Sequence, residues 1–305
     1  MASTAVLSQE SNADLWNGGV SPLKASYGKL MMWYFLLSDA FSFSGFLVAY
    51  GYLRQKATPY IWTGEKAMEQ FLPSENYWPI PEKVFNTMPF AHGLNAPLFF
   101  VGIMTFILIL SSVTMVLAVE AGHRMDKKDV EKWMVWTILG GVAFIGCQAW
   151  EWNHFIHGSE SLVEVISPIT GVFEGDYAKI LNAESGLLLL NDAGNAVEML
   201  ASEAVSKGFL TAEVAKDLSG NIFSGAGLGR NEYGPEAFAN LFFFITGFHG
   251  THVLSGIILN MIIFYNVSIG TYQRRGHYEM VEKVGLYWHF VDLVWIFVFT
   301  FFYLV

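Results

Sequence analysis

Histidine and carboxylate side chains lie within two long apolar stretches near the C-terminal end of the sequence. His249 and His252 are three residues apart in GFHGTHV. His289 and Asp292 are three residues apart in YWHFVDLVW. Histidines on facing helices could ligate a haem iron, whereas imidazole and carboxylate groups could instead hydrogen-bond to each other. Because carboxylates lie so close to the histidines, we expect polar pairing within the protein and no bound haem or metal.

Glu282 lies just before the apolar stretch that contains His289 and Asp292. Glu282, His289 and Asp292 have the spacing i, i+7, i+10, which places them within an arc of about 80° on one face of an α-helix. An ionisable group in contact with lipid is energetically costly. We therefore expect this face to turn toward the interior of a helical bundle.

Three more polar residues lie in the earlier apolar stretches. Gln148 and Glu151 have the spacing i, i+3 and so share a helix face. Asp39 is the one formally charged residue within residues 31–52. Small residues beside Asp39 form a stripe that predicts close packing against protein and an interhelical position for the carboxyl group. The stripe comprises Ser38, Ser42, Gly45 and Ala49.

Five apolar stretches carry these residues, and each is long enough for a helix of about 20 residues to cross a bilayer. They are residues 31–52, 97–119, 133–156, 237–263 and 284–305. The sequence therefore predicts an all-α, polytopic membrane bundle of five transmembrane helices with a large extracytoplasmic loop. Along the chain we expect a cytoplasmic tail, three helices, an acidic extracytoplasmic insert and two further helices, at residues 1–30, 31–157, 158–234 and 235–305.

Basic residues in the short connections predict the orientation. Residues 120–132 and 266–283 are short and carry seven basic residues, the highest density between the stretches, and such connections belong in the cytoplasm. Five crossings then place the N-terminus in the cytoplasm and the C-terminus outside. The sequence has no basic residue before Lys24, which is not typical of a secretory or mitochondrial targeting segment. We therefore expect the bacterial cytoplasmic, or inner, membrane.

Residues 158–234 form an acidic insert. Its eleven acidic and four basic residues supply seven of the ten net negative charges of the chain. Apolar and capping residues predict helices at 187–207 and 211–218. A solvated acidic surface is one interpretation. The other is a docking surface for a further respiratory complex or a basic electron carrier such as a cytochrome.

Composition excludes several classes of protein. The chain of 305 residues is 53% hydrophobic and 14% charged, whereas a soluble domain carries about 25% charged residues. The single cysteine, Cys147, excludes a disulfide framework and a cluster of thiolate metal ligands. Neither a phosphate-binding loop nor a nucleophile motif is present, and we expect no nucleic-acid partner.

The motifs resemble subunit III of the haem-copper terminal oxidases, a family that includes cytochrome c and quinol oxidases. TGFHGTHV, followed by Glu282 and then YWHFVDLVW, is similar to that family in residue type, order and spacing. TILG at residues 137–140 and QAWE at residues 148–151 also stand at the family's usual places. The first two helices of the seven-helix form have no counterpart, so the chain resembles the five-helix bacterial type.

Two features depart from the family pattern. Asp39 stands where the family normally has a buried glutamate, so an acid is kept with a side chain one methylene shorter. The insert at residues 158–234 is much longer than the usual connection. Nothing about the insert follows from the resemblance.

The resemblance implies a role within a larger enzyme. The chain would be a non-catalytic subunit without redox centres, and the complex would be a proton-translocating oxygen reductase of the cytochrome c oxidase type. Haem and copper would lie in partner subunits. The chain would pack mainly against subunit I, in a complex that also holds subunit II, and would bind structural phospholipids. Proton- or lipid-related roles would fall to its buried polar residues: Asp39, Gln148, Glu151, His249, His252, Glu282, His289 and Asp292.

Other functions remain open at this point. A nitric-oxide-reductase accessory protein belongs to the same family. A free-standing membrane cytochrome b would use His249 or His252 together with His289. A small proton-coupled transporter would use Asp39 and Asp292, although five spans cannot form two equal inverted repeats.

Overall fold

A computed structural model describes most of the chain. The described residues are 26–57, 78–85, 98–158, 162–166, 174–180, 186–190, 196–208, 210–212, 224–227 and 231–304. Five of its helices are long and apolar enough to cross a membrane. They contain the five predicted stretches almost completely and confirm an all-α membrane bundle.

Each long helix extends beyond its apolar stretch at one end or at both. In chain order the helices are α1 (Tyr27–Lys56), the short α2 (Pro81–Val84), α3 (Phe99–His123), α4 (Lys127–His157), the short α5 (Ala201–Ser206), α6 (Glu236–Ser268), the short α7 (Thr271–Arg275) and α8 (Glu279–Phe299). A π-helical turn, Thr300–Leu304, continues α8 to the end of the described chain.

Helix α8 lies against three other membrane helices. It packs on α1, α3 and α6, while α4 packs on α3 and α6. Trp288 of α8 shows how closely these helices approach, since its indole Nε1 donates a hydrogen bond to Ser111 Oγ of α3 at 3.1 Å. The same ring fills the space beside Gly141 of α4 and Gly256 of α6, where an added Cβ atom would lie 2.6 and 2.8 Å from it. One side chain thus joins four helices.

Aromatic side chains fill the end of the bundle from which the insert emerges. The α2 segment packs there through Trp78, whose ring centroid lies 5.4 Å from that of Tyr50, and through Phe85, at 4.5 Å from Tyr303. Tyr50 in turn lies 4.0 Å from Phe302. Buried aromatic surface of this kind joins α1, α2 and the end of α8.

The insert contains a sheet that sequence reasoning missed. Strands β1 (Leu162–Ile166), β2 (Glu174–Ile180), β3 (Gly186–Leu190) and β4 (Ala196–Leu200) pair antiparallel in the order β1-β2-β3-β4. Lys179 pairs with Leu162 on one side and with Leu188 on the other. The all-α prediction therefore holds for the membrane bundle and not for the insert.

The helix predicted at residues 187–207 is wrong over most of its length. Among the described residues of this range only Ala201–Ser206 is helical, and GLLLL and AVEML are strands. Short apolar runs do not distinguish strand from buried helix, and the sequence NDAGN between the runs is rich in turn formers. Of the helix predicted at 211–218, residues 213–218 lie outside the described part.

The two ends of the insert are joined at the end of α4. Gly158 and Gly225 have positive φ angles of 71° and 66°, and an added Cβ atom on Gly225 would meet the backbone of α4. The Glu232 carboxylate accepts a hydrogen bond from Gly225 N at 2.7 Å. Tyr233 stacks on Phe155 with ring centroids 4.0 Å apart, and its hydroxyl donates to the Phe155 carbonyl. Burial raises the pKa of Tyr233, with a smaller contribution from Glu232, so the hydroxyl keeps its proton and remains a donor.

Candidate functional site: polar side chains within the membrane bundle

Asp39 of α1 and His252 of α6 form a pair between their helices. His252 Nε2 lies 3.1 Å from Asp39 Oδ2, and the two side chains are 15% and 10% exposed. The ring of Phe43 lies 5.5 Å from the imidazole on one side, and that of Phe248 lies 4.7 Å from it. The prediction of an interhelical Asp39 is confirmed.

The contact of His252 with its own helix limits where this pair can hold a proton. His252 Nδ1 lies 2.8 Å from the Phe248 carbonyl, which can only accept, so Nδ1 carries hydrogen. A neutral ring then has a bare Nε2, which would repel a bare carboxylate. One more proton, on either Nε2 or Asp39 Oδ2, would make the contact favourable. In both arrangements the pair has no net charge, which suits surroundings from which water is excluded.

The stripe of small residues beside Asp39 does not pack against this chain. Ser38, Ser42, Gly45 and Ala49 are all exposed. The three serine hydroxyls of this region instead donate to carbonyls of their own helix, as Ser38 does to Phe35 at 2.8 Å. The predicted close packing along the stripe is not made within this chain, where Phe43 and Leu47, on another face of α1, make the buried contacts.

Glu151 forms a second polar group, at the end of α4 from which the insert emerges. Gln148 Nε2 donates to Glu151 Oε2 at 2.8 Å, as their spacing predicted. The Tyr303 hydroxyl lies 3.0 Å from both carboxylate oxygens. The carboxyl group is therefore buried with two donors and joins α4 to the end of α8.

His249 has aromatic neighbours. Its ring centroid lies 5.2 Å from Trp295, 5.8 Å from Phe144 and 6.4 Å from Phe43. Both ring nitrogens are buried and have no hydrogen-bond partner among the described residues. His249 thus fills space between α1, α4 and α8 without the polar partner that we expected.

The third polar group lies where α3 meets α8. Ser112 Oγ lies 2.5 Å from His289 Nδ1. Ser112 also approaches the carboxyl group of Asp292, and both His289 and Asp292 are half-buried. Asp292 Oδ1 is enclosed and has no hydrogen-bond partner among the described residues.

Glu282 lies apart from these two residues, near the start of α8. It forms an ion pair with Lys29 of α1 at 2.7 Å, and both side chains are partly exposed. The expectation that Glu282, His289 and Asp292 share an inward face is therefore wrong in part. The face borders α1 at one end and α3 in the middle, and it does not enter the centre of the bundle.

The structure does not bring the histidines together as a haem site would require. His249 lies among aromatic rings, His252 binds Asp39 and His289 binds Ser112. Within the described residues there is no group of three or more His, Cys, Asp or Glu side chains that could hold a metal ion. The absence of bound haem stays a prediction.

Sequence reasoning missed the partners of these residues. Tyr303, Ser112 and Lys29 are separated by more than a hundred residues from the side chains they bind. Partner pairs this distant in sequence leave no spacing signal on a single helix. Tyr303 lies in the run FFYLV, whose other residues are all apolar, so the sequence did not indicate that it has a polar partner.

The C-terminal part of the chain is similar to a known protein family. The family model for cytochrome c oxidase subunit III matches residues 233–305, which include α6 and α8. Quinol oxidase subunit 3 of Bacillus spizizenii is 27% identical over 202 residues, covering 65% of this chain and 62% of the relative.

Two further relatives carry similar names. Cytochrome c oxidase subunit 3 of Alkalihalophilus pseudofirmus is 27% identical over 204 residues, 66% of this chain and 64% of the relative. Cytochrome c oxidase subunit 3 of Thermostichus vulcanus is 38% identical over 94 residues, 28% of this chain and 43% of the relative. The chain thus spans less than two thirds of the length of each of these relatives.

Proposed function

We propose that this chain is a subunit III of a haem-copper oxidase and serves as a non-redox membrane subunit of a respiratory enzyme, because residues 233–305 match the family model for cytochrome c oxidase subunit III. Oxygen reduction coupled to proton translocation takes place in a partner catalytic subunit, which holds the haem and copper. The relatives include both a cytochrome c oxidase and a quinol oxidase subunit, and the electron donor is a property of other subunits.

The observation that carries a more specific role is the Asp39–His252 pair. The two side chains approach to 3.1 Å within the bundle, so that one proton could pass between His252 Nε2 and Asp39 Oδ2 without a change in either helix. We assign this pair to proton supply and to the endurance of the catalytic subunit during turnover. Structural phospholipids cover the apolar surface of the helices around it.

Basic residues support a cytoplasmic N-terminus in an inner membrane. Lys29 binds Glu282 at the start of α8, and Lys127 Nζ donates to the Ser268 carbonyl at the end of α6. These contacts lie at the end of the bundle opposite the insert. Positively charged ends of this kind belong in the cytoplasm, so the insert faces the outside.

The proposal is tested by purifying the tagged chain from native membranes. We expect a large haem-containing subunit to co-purify at equal stoichiometry and to reduce oxygen. After the complex is dissociated, the chain itself should show no haem band in a reduced-minus-oxidised spectrum and no metal.

A haem band that stays with the isolated chain would contradict the proposal in favour of a membrane cytochrome b. Reduction of nitric oxide instead of oxygen by the co-purified complex would contradict it in favour of the accessory protein of a nitric oxide reductase.

A further inference from the structure

Tyr287 of α8 forms a hydrogen-bonded group with the turn of α6 that carries His252. The Tyr287 hydroxyl lies 2.6 Å from Ser255 Oγ and 3.2 Å from the His252 carbonyl oxygen. Ser255 Oγ lies 2.8 Å from the same carbonyl oxygen. Because each hydroxyl has one hydrogen, one of the two donates to the carbonyl and the other donates to its neighbour, and these roles can be exchanged. In both arrangements the hydrogen bonds join α8 to α6.

Tyr287 also contacts α1 beside Asp39. Its ring centroid lies 6.1 Å from that of Phe35, which is one helical turn before Asp39. The carboxyl group of Asp39 is near enough to act electrostatically on the Tyr287 hydroxyl. Tyr287 is only 4% exposed. One buried side chain of α8 therefore contacts both of the helix segments that hold the Asp39–His252 pair.

Helical geometry explains why these contacts affect the pair. Residues three apart on a helix differ by about 60° in direction, so α6 turns His252 toward α1 and Ser255 toward α8. A rotation of α6 about its own axis would move both contacts together. On the insert side of the pair, the ring centroids of Phe43 and Phe248 lie 5.1 Å apart. An apolar contact between rings tolerates such a rotation better than hydrogen bonds, which weaken steeply away from their preferred angles.

We propose that Tyr287 and Ser255 are positioning residues of the Asp39–His252 pair. Their hydroxyls fix the rotation of α6 at which His252 Nε2 meets Asp39 Oδ2. They act through the backbone of α6, because the hydrogen bonds join them to the carbonyl of His252. The consequence for proton supply rests on the proposed function, whereas the consequence for the geometry of the pair does not.

The approach of Asp39 to His252 can be measured directly by solid-state NMR. The full chain is isotopically labelled at its aspartate carboxyl carbons and histidine ring nitrogens and is reconstituted in lipid bilayers. The carbon–nitrogen signal of the pair is the one that disappears in His252→Gln. Tyr287→Phe keeps the ring beside Phe35 and removes only the hydroxyl. We expect Tyr287→Phe and Ser255→Ala each to lose most of this signal.

Tyr278→Phe is the matched control. Tyr278 is also buried, and its hydroxyl donates to Gln273 Oε1 at 2.8 Å, at the start of α8 and apart from the pair. This variant should keep the full signal. An undiminished signal in Tyr287→Phe, or an equal loss in Tyr287→Phe and Tyr278→Phe, would overturn the proposal. Should Tyr287→Phe fail to fold, Ser255→Ala decides, and a full signal in that variant would overturn it.

Turnover of the assembled oxidase separates this inference from the proposed function. Tyr287→Phe weakens the same pair that Asp39→Asn alters, so we expect both variants to start at the wild-type rate and to inactivate early. The double variant should last as long as Asp39→Asn alone. A double variant that inactivates several-fold sooner would show that Tyr287 does not act through the pair and would overturn the proposal. Loss of the NMR signal together with wild-type endurance would support the positioning role and contradict the proposed function of the pair.

Discussion

At the scale of single residues, the Asp39–His252 contact constrains protonation more closely than composition could. The carbonyl of Phe248 accepts from His252 Nδ1, so one more proton, on either Nε2 or Asp39 Oδ2, would make the 3.1 Å contact favourable. An acid and a base in hydrocarbon thereby form one neutral unit. Phe43 of α1 packs against Phe248 of α6 beside this contact, with ring centroids 5.1 Å apart.

Asp39→Asn separates the structural part of this contact from the ionisable part. The amide can donate to a bare His252 Nε2 and so keeps the geometry, but it cannot release a proton. We expect the assembled complex to keep its initial rate and to lose pumping efficiency or to inactivate sooner in sustained turnover. Oxygen consumption and proton release are recorded together over many turnovers.

Ser38→Ala serves as the control for Asp39→Asn, because Ser38 is adjacent, exposed and bonded to its own helix. Wild-type endurance and proton stoichiometry in the Asn variant would reduce Asp39 to a packing role.

The polar residues could be selected from the sequence, but most of their hydrogen-bond partners could not. Gln148 and Glu151 were paired correctly because both lie on one helix. Asp292 and His249 were expected to have polar partners, yet the structure gives His249 aromatic neighbours. Contacts between helices depend on how each helix is rotated, and the rotation is not encoded by local spacing.

At the scale of elements, hydropathy was sufficient to locate all five membrane helices. Hydropathy was not sufficient to show which faces are buried, because each helix carries apolar residues on all of its faces. Helix α1 exposes Trp33 and Phe41 while it buries Phe43 and Leu47. In lipid both kinds of face are apolar, so the buried face is distinguished by packing and small residues.

Two glycines of α6 provide a matched test of this packing. A Cβ atom on Gly256 would lie 2.8 Å from the Trp288 ring, whereas one on Gly250 would meet nothing within 4 Å. Gly256→Ala should therefore destabilise the bundle by about 1–3 kcal/mol through overpacking, and Gly250→Ala should have little effect. Thermal unfolding of the purified variants measures the difference. Equal midpoints for the two variants would show that Trp288 does not join α4 and α6 as described.

At the scale of the whole molecule, charge is divided unequally between the two ends of the bundle. The insert carries seven of the ten net negative charges, and Gly158 and Gly225 hold its two ends together at α4. Its strands could not be foreseen, since GLLLL and AVEML fit a strand or a buried helix equally well. A loop of this length is uncommon without a function.

Deleting residues 162–220 tests the insert while leaving the joined ends in place. We expect weaker association with a basic electron carrier or a neighbouring complex, with the largest loss at low salt, because screening shortens electrostatic attraction to about 10 Å at 0.1 M salt. Binding is measured across a salt series. A full-length variant with its insert acids changed to amides distinguishes charge from bulk. Identical binding by all three proteins at every salt concentration would leave the insert as a solvated surface.

The central claim is that this chain sustains a catalytic subunit that holds the redox centres. The most direct measurement removes the chain from the purified oxidase, restores it, and counts oxygen-reduction turnovers before activity is lost. We predict that the depleted enzyme starts at a similar rate but inactivates after fewer turnovers, and that adding back the wild-type chain restores endurance. A depleted enzyme that lasts as long as the intact one would contradict the account.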